Sequence, residues 1–217
     1  MKNGIAALAG LSAVALATQA MGNVSFTNFS EYENVENNEV SVLDGSFWAG
    51  LGVLFSTGQV SGSVATGQIL NWTTISPLVT VYSNDDAVSG QNFVGAYDKN
   101  RLDSVMMQFD AENVNFVSLH TDLAVEGGDI VRLIALRELG NGDFLVLDWM
   151  EILDNGTTLE DSYMEVFTGG EYMTHAVFQI TTEREGFDNL SFGFVVPSPG
   201  ASILALGGLA ALTRRRR

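Results

Sequence analysis

Residues 129 to 152 read DIVRLIALRELGNGDFLVLDWMEI, two apolar runs on either side of a Gly-Asn-Gly turn at 140–142. Because glycine and asparagine tolerate positive φ angles, this turn between two apolar runs predicts a β-hairpin. Within Ile130–Leu136 and Phe144–Trp149 the residues are apolar on both faces except for Arg132 and Asp148. A strand that is apolar on both faces is typically buried on both faces, so we expect these two strands at the centre of the fold.

Ten other short runs of β-branched and aromatic residues are bounded by Gly, Asn, Asp or Ser clusters. They are Val24–Phe29, Phe47–Phe55, Gln59–Val64, Leu78–Tyr82, Asn92–Tyr97, Ser104–Phe109, Val114–His120, Tyr163–Thr168, His175–Thr181 and Asp188–Val195. Short strands at regular spacing, with no long helix pattern, predict an all-β fold. We expect one jelly-roll-like antiparallel β-sandwich over residues 21–195. The six glycines from Gly45 to Gly67 predict either a bulged strand pair or a mobile edge.

The 217 residues include 26 acidic and 10 basic side chains, two histidines and no cysteine. All the acids lie between residues 21 and 197, where five basic residues oppose them, so this stretch carries a net charge of 5 − 26 = −21. Such a charge argues against nucleic acid as a partner, because binding to phosphates rests on lysine and arginine. The absence of cysteine excludes disulfides, thiol nucleophiles and zinc–thiolate sites.

The first 20 residues have the order of a secretory signal peptide. Lys2 supplies a basic start, residues 5–17 form a largely apolar core, and Thr18 and Ala20 are small residues at the exit. The alternative is an N-terminal helix of the protein core, which the absence of a polar face to turn toward water disfavours. We expect signal peptidase to cut after Ala20 and to leave Met21 as the first residue.

Residues 196–217 contain three zones in a fixed order. These are the motif Val196-Pro197-Ser198-Pro199-Gly200, an apolar helix predicted over 201–212, and the basic stop Arg214, Arg215, Arg216 and Arg217. Twelve helical residues cover about 18 Å, well short of the roughly 30 Å of a bilayer core. The short helix therefore favours a sorting signal that is held briefly in the membrane and then cut. A retained single-pass anchor is the alternative.

The three-part order resembles the C-termini of the PEP-CTERM exosortase substrates of Gram-negative bacteria, which carry Val-Pro-Glu-Pro, an apolar helix and arginines. This chain departs from the family at Ser198, where glutamate is usual. The resemblance implies export, recognition by an exosortase in the inner membrane, transient insertion of the tail there, and removal of the tail. It further implies delivery to the cell surface or to an extracellular polysaccharide matrix.

A second resemblance lies between the ends. Phe26-x-x-Phe29, Ser89-Gly90-x-Asn92 and the segment 186–192 look like parts of jelly-roll ectodomains that are similar to carbohydrate-binding jelly rolls. In those domains an aspartate at the place of Asp188 helps to hold a structural calcium with acids from the first strands. The matching acids here are Glu31 or Glu33. We expect no required cofactor, and calcium at this place remains one interpretation.

Strand alternation is the residue-level argument about Asp188. Counting back along the last strand places Asp188, Leu190 and Phe192 on the inward face. A carboxylate at the start of a buried row needs a partner. That partner is an arginine, backbone amides or a cation; calcium is one interpretation, and hydrogen bonds from the amides of the first strands are the alternative.

Catalytic patterns are weak in this sequence. Glu151 and Asp154 are three residues apart in a predicted strand, so their side chains face opposite sides and do not flank one sugar bond. His120 and His175 lie far apart, and no Gly-x-Ser-x-Gly nucleophile motif is present. We predict that the protein is not an enzyme.

Sugar binding requires an exposed flat aromatic side chain, and Trp72, between polar neighbours, is the candidate ligand residue. Partial burial at one end of the sandwich is the alternative for Trp72. The sequence therefore predicts an exported, non-catalytic protein of the cell surface or extracellular matrix. A lectin-like carbohydrate-binding module of the exopolysaccharide matrix, with or without calcium, is the second hypothesis.

Overall fold

The computed structural model describes residues 40–83, 92–97, 103–121, 129–154, 162–180 and 186–194. These residues form twelve β-strands and one short 3-10 helix, Gly45–Leu51. The strands are β1 (Val40–Asp44), β2 (Val53–Ser61), β3 (Ile69–Ser76), β4 (Leu78–Ser83), β5 (Asn92–Ala96), β6 (Ser104–Phe109), β7 (Phe116–Thr121), β8 (Asp129–Gly140), β9 (Asp143–Asp154), β10 (Tyr163–Phe167), β11 (His175–Ile180) and β12 (Gly186–Gly193). The predicted strand Val24–Phe29 lies outside the described residues.

The strands form two antiparallel sheets that pack face to face. One sheet is open, with the order β1-β4-β5-β12-β7-β10. The other is closed on itself, with the order β11-β6-β2-β3-β9-β8 and a further pairing of β8 with β11. The predicted all-β antiparallel sandwich is confirmed, and the closure of one sheet is a feature that the sequence did not indicate.

Two hydrophobic cores lie on opposite sides of the closed sheet. The larger core lies between the sheets and takes Phe187 from the open sheet and Phe178 from the closed one. The smaller core lies inside the closed sheet, because its strand residues all belong to that sheet. Its buried members are Leu70, Met106, Ile134, Leu136, Phe144, Val146 and Val177.

Neighbouring residues in the middle of the closed sheet point into different cores. In β8, Leu133 is buried in the larger core and Ile134 in the smaller one. Successive side chains of a strand alternate faces, so a strand between two cores is apolar at nearly every position. Each such side chain contributes about 1.5–3 kcal/mol through burial. The central placement of both hairpin strands is thereby confirmed, since β8 lies between β11 and β9, and β9 between β8 and β3.

The hairpin turn has the predicted backbone geometry. Gly140, Asn141 and Gly142 adopt φ angles of 98°, 58° and 81°. The register of β8 against β9 shifts at two places. One shift lies between Ala135 and Leu136, and the other, next to the turn, lies between Glu138 and Gly140. β9 pairs with β8 along its length and with β3 at its start, through residues 143–145.

The glycine-rich stretch forms a helix and a central strand. Phe47–Phe55 was predicted as one strand, but the 3-10 helix occupies its first half and β2 begins only at Val53. The Asp44 carboxylate caps this helix by accepting a hydrogen bond from the Ser46 amide at 2.8 Å. Hydrogen bonds from Ser46 hold the pKa of Asp44 below its ordinary value. The register of β2 shifts between Thr57 and Gly58, so the bulged-strand interpretation holds and the mobile-edge interpretation is wrong.

In the described ranges no helix is both long enough and apolar enough to cross a membrane.

Candidate functional site

The predicted processing residues lie outside the described residues. This applies to Ala20 and Met21 at the start of the chain and to the motif 196–200 and the arginines 214–217 at its end. Glu31 and Glu33, the suggested calcium partners, lie outside them as well. Their roles therefore stay predictions.

Asp188 is fully buried, but on the face opposite to the one predicted. A β-bulge between Asp188 and Ser191 inserts one extra residue into β12, and Asn189 adopts a φ of 52° there. Asp188 on β12 lies directly opposite His120 on β7 in the strand ladder, whereas Phe187 points into the larger core. Directly opposed residues of an antiparallel pair share a face. Asp188 therefore lies on the outer face of the open sheet, and the strict alternation that placed it beside Leu190 was wrong.

The buried Asp188 carboxylate has hydrogen-bonding partners. Its Oδ1 accepts a hydrogen bond from the Asn189 amide at 2.6 Å, and it has a further interaction. Among the described residues, no three histidine or acidic side chains form a group that fits a metal ion. Calcium at Asp188 stays a prediction that depends on Glu31 or Glu33.

Asp103 is a second buried carboxylate, and sequence reasoning did not single it out. Its side chain is fully enclosed at the start of β6, and its Oδ1 accepts a hydrogen bond from the Gln59 amide nitrogen at 3.0 Å. The other oxygen, Oδ2, has no hydrogen-bond partner among the residues that the structure describes. An under-bonded buried carboxylate costs stability. Its signal in sequence is only that an acid precedes an otherwise apolar strand.

Trp72 is half-buried on β3 and packs against the smaller core. Its indole Nε1 donates a hydrogen bond to the Thr74 hydroxyl at 2.9 Å. The ring lies over Gly58, where an added Cβ would approach it to about 2.5 Å. One side of the indole is thus used in packing, and a ligand role for Trp72 stays a prediction.

Glu151, one of the two acids considered for catalysis, forms an ion pair on the closed sheet. Glu151 accepts a hydrogen bond from Arg132 Nε across β8 and β9 at 2.6 Å, and Arg132 also donates to Gln179 at 3.3 Å. Both side chains of this ion pair are partly exposed, so the pair adds less than about 1 kcal/mol to stability.

The two histidines occupy separate strands. His120 on β7 packs against Tyr163 with 5.2 Å between ring centroids, and its buried Nδ1 has no hydrogen-bond partner in the described part of the chain. His175 on β11 is almost fully buried, edge-on to Phe144 at 5.0 Å. Burial lowers the pKa of both histidines, and the charge of Glu138 partly opposes this at His175.

The burial of His175 predicts a loss of stability in mild acid. The unfolded chain binds a proton at an ordinary histidine pKa of about 6.5, whereas the folded state binds it at a lower pH. Between these values the unfolded state holds more protons, so stability falls as the pH drops below about 6.5 and is unaffected above it. We expect His175→Gln to flatten this dependence in urea unfolding at pH 7.5 and 5.0. An unchanged difference between the two pH values would contradict the prediction, and His120→Gln is the less buried comparison.

An open cleft of about 420 Å³ lies at one end of the sandwich. β2 begins and β6 ends beside it in the closed sheet, while β7 begins and β12 ends beside it in the open sheet. Its apolar lining includes Leu51, Phe192 and Phe194, and its polar lining includes Asp110 and Asn113. Tyr172, 44% exposed, contacts the Phe194 ring at 5.8 Å. This cleft combines aromatic rings with a carboxylate and an amide.

Backbone hydrogen bonds hold the cleft walls together. The Gly52 amide donates to Ala49 at 3.0 Å, and the Asp110 amide donates to Gly52 at 3.0 Å. On the opposite wall the Asn115 amide donates to Gly193 at 2.9 Å. Gly52 has a φ of 88°, which a residue with a side chain rarely adopts. The walls of the cleft are therefore tied together by the backbone, and its lining residues come from three separate segments of the chain, 49–52, 110–114 and 192–194.

The comparisons with known proteins add no relative: no protein-family model, curated protein or solved structure matches this chain.

Proposed function

We propose that this chain is an exported, non-catalytic protein of the cell surface or extracellular matrix, sorted by an exosortase-type system. The observation that carries the proposal is the order of three zones over residues 196–217, which are the proline motif, the apolar segment and the arginines. The signal-peptide pattern over residues 1–20 supports it independently, because a protein sorted at the inner membrane must first enter the export pathway.

The position of the folded domain supports the same proposal. β12 ends at Gly193, only a few residues before Val196. The motif thus follows the last described strand of the sandwich within a few residues along the chain. The acidic balance of residues 21–197 favours solubility outside the cell and disfavours adhesion to anionic polymers.

The partners in this proposal are signal peptidase and an exosortase. The 12-residue apolar segment is too short for a relaxed membrane span, so it fits brief insertion before cleavage. The four arginines would keep the end of the chain on the cytoplasmic side during that step. Extracellular polysaccharide is the candidate partner of the released protein.

Mass spectrometry of the protein recovered from its native cells tests this proposal at both ends. We expect a mature chain that starts at Met21 and ends near Pro197. A variant with Pro197→Ala and Pro199→Ala should retain the arginine tail, because the motif for recognition is lost. Substitution of Thr213, outside the motif and the arginines, is the matched control and should leave processing unchanged. A wild-type chain that still ends at Arg217 would make the tail a membrane anchor and refute the sorting proposal.

A further inference from the structure

We propose that the cleft between Leu51, Asp110 and Phe194 binds a neutral pyranose unit of a polysaccharide. This inference rests on the proposed function and deepens it, because it names the kind of sugar unit that the released protein would bind. The cleft volume of about 420 Å³ lies in the lower part of the range of about 300–1,000 Å³ typical of small-molecule sites.

The apolar part of the cleft suits the C–H face of a sugar ring. Phe192 at the base of the cleft is only 3% exposed and packs on Phe109 with 4.8 Å between ring centroids, so it supports the cleft and leaves the ligand contact to its neighbours. Phe194 is partly exposed, and Tyr172 extends the aromatic surface beyond it. Aromatic side chains provide rigid, flat contact area at a low cost in conformational entropy.

The polar part suits hydroxyl groups. The Asp110 side chain is exposed at the rim and makes no hydrogen bond within the described ranges, so its two oxygens can accept from neighbouring sugar hydroxyls. Gly50 has open space at its Cβ position, so a ligand can approach the backbone there.

Charge decides between neutral and acidic sugars. None of the lining residues is basic, and Asp110 is the charged one among them. A carboxylate on the ligand, as in a uronic acid, would face both Asp110 and a domain of strongly negative net charge. The cleft therefore favours neutral hexoses over uronates.

Titration of the ¹⁵N-labelled protein recovered from its native cells, followed by NMR, tests this inference. The probes are the methyl α-glycosides of glucose, galactose and mannose, raised to about 20 mM because single sugars bind with dissociation constants on the order of 1 mM. We expect at least one glycoside to shift the amides of Gly52, Asp110 and Gly193, while glucuronate does not. Absence of shifts with all three glycosides would overturn the proposal, and so would shifts centred on Trp72.

Substitutions then separate the site from general charge effects. Asp110→Ala and Phe194→Ala should each weaken binding about tenfold or more. Glu112→Ala is the control for charge, because Glu112 is exposed near Asp110 but does not line the cleft. Tyr97→Ala is the control for loss of a ring, because Tyr97 is exposed just after β5 and away from the cleft lining. Each control should change the affinity less than about twofold. Each variant is first checked for an unchanged unfolding midpoint, and Asp110→Asn replaces Asp110→Ala if the latter unfolds. Binding by Asp110 variants that equals wild type would refute the role of the cleft.

Discussion

Gly45→Ala is expected to destabilise the protein by at least about 3 kcal/mol, at the high end of overpacking substitutions. Gly45 is buried where β1 meets the 3-10 helix, and its amide donates a hydrogen bond to the Pro77 carbonyl at 2.8 Å. A Cβ there would fall on the backbone carbonyl of Phe55, closer than side-chain carbons approach such atoms. Phe55 lies in β2, which is paired with a strand on each side, so this carbonyl cannot move aside cheaply.

Gly50→Ala is the matched control in the same helix. A Cβ at Gly50 meets nothing within 4 Å, so we expect a change within about 0.5 kcal/mol. Denaturant unfolding of both variants, together with soluble yield, measures the difference. Equal midpoints for the two variants would show that the close approach of Gly45 to Phe55 is not a constraint.

Phe187→Ala is expected to cost about 3–5 kcal/mol, the usual range for deleting a buried aromatic side chain. Phe187 on β12 is fully buried, and its ring contacts Phe178 at 5.3 Å and Phe55 at 6.0 Å between centroids. These contacts join the open sheet to two strands of the closed sheet. For a domain of this size the loss corresponds to a fall in Tm of roughly 6–20 °C.

Phe47→Ala removes the same side chain from a position that is 48% exposed. Its ring touches the edge of Trp48 at 5.2 Å, so we expect a smaller cost of about 1 kcal/mol. Thermal unfolding followed by circular dichroism compares the two variants. A Tm for Phe187→Ala within a degree of that for Phe47→Ala would contradict the packing of the two sheets through this ring.

Two strands escaped prediction because their sequences are not regular amphipathic patterns. β3 carries Ile69 and Ile75 on its exposed side, while Leu70 and Trp72 face the smaller core. Apolar residues on both sides of a short polar segment do not indicate which face is buried. β1 (Val40–Asp44) is an edge strand of the open sheet and pairs with one other strand, β4. Propensity at such a position is a weak signal.

Strand alternation failed at Asp188 for a related reason. The period of two is reliable only while every residue stays in the ladder, and the extra residue near Asn189 reverses the faces on either side of it. A bulge at a non-glycine residue has no distinctive local sequence. The sequence predicts that the Asp188 carboxylate is buried, but it does not predict that Asp188 lies opposite His120 and accepts a hydrogen bond from the Asn189 amide.

The sequence by itself determined the features that depend on neighbouring residues: the β-strands, the Gly-Asn-Gly hairpin, the central place of β8 and β9, and the charge of the domain. These follow from side-chain chemistry, backbone preference and a period of two, which act over a few residues. The tertiary structure alone decided the closure of one sheet, the second core inside it, and the cleft at its end. β3 closes that sheet by pairing Ile69 with Leu145, more than 70 residues later, and the cleft joins four separate strand ends. Such pairings are chosen by the total burial of the folded chain, which no local pattern of residues records.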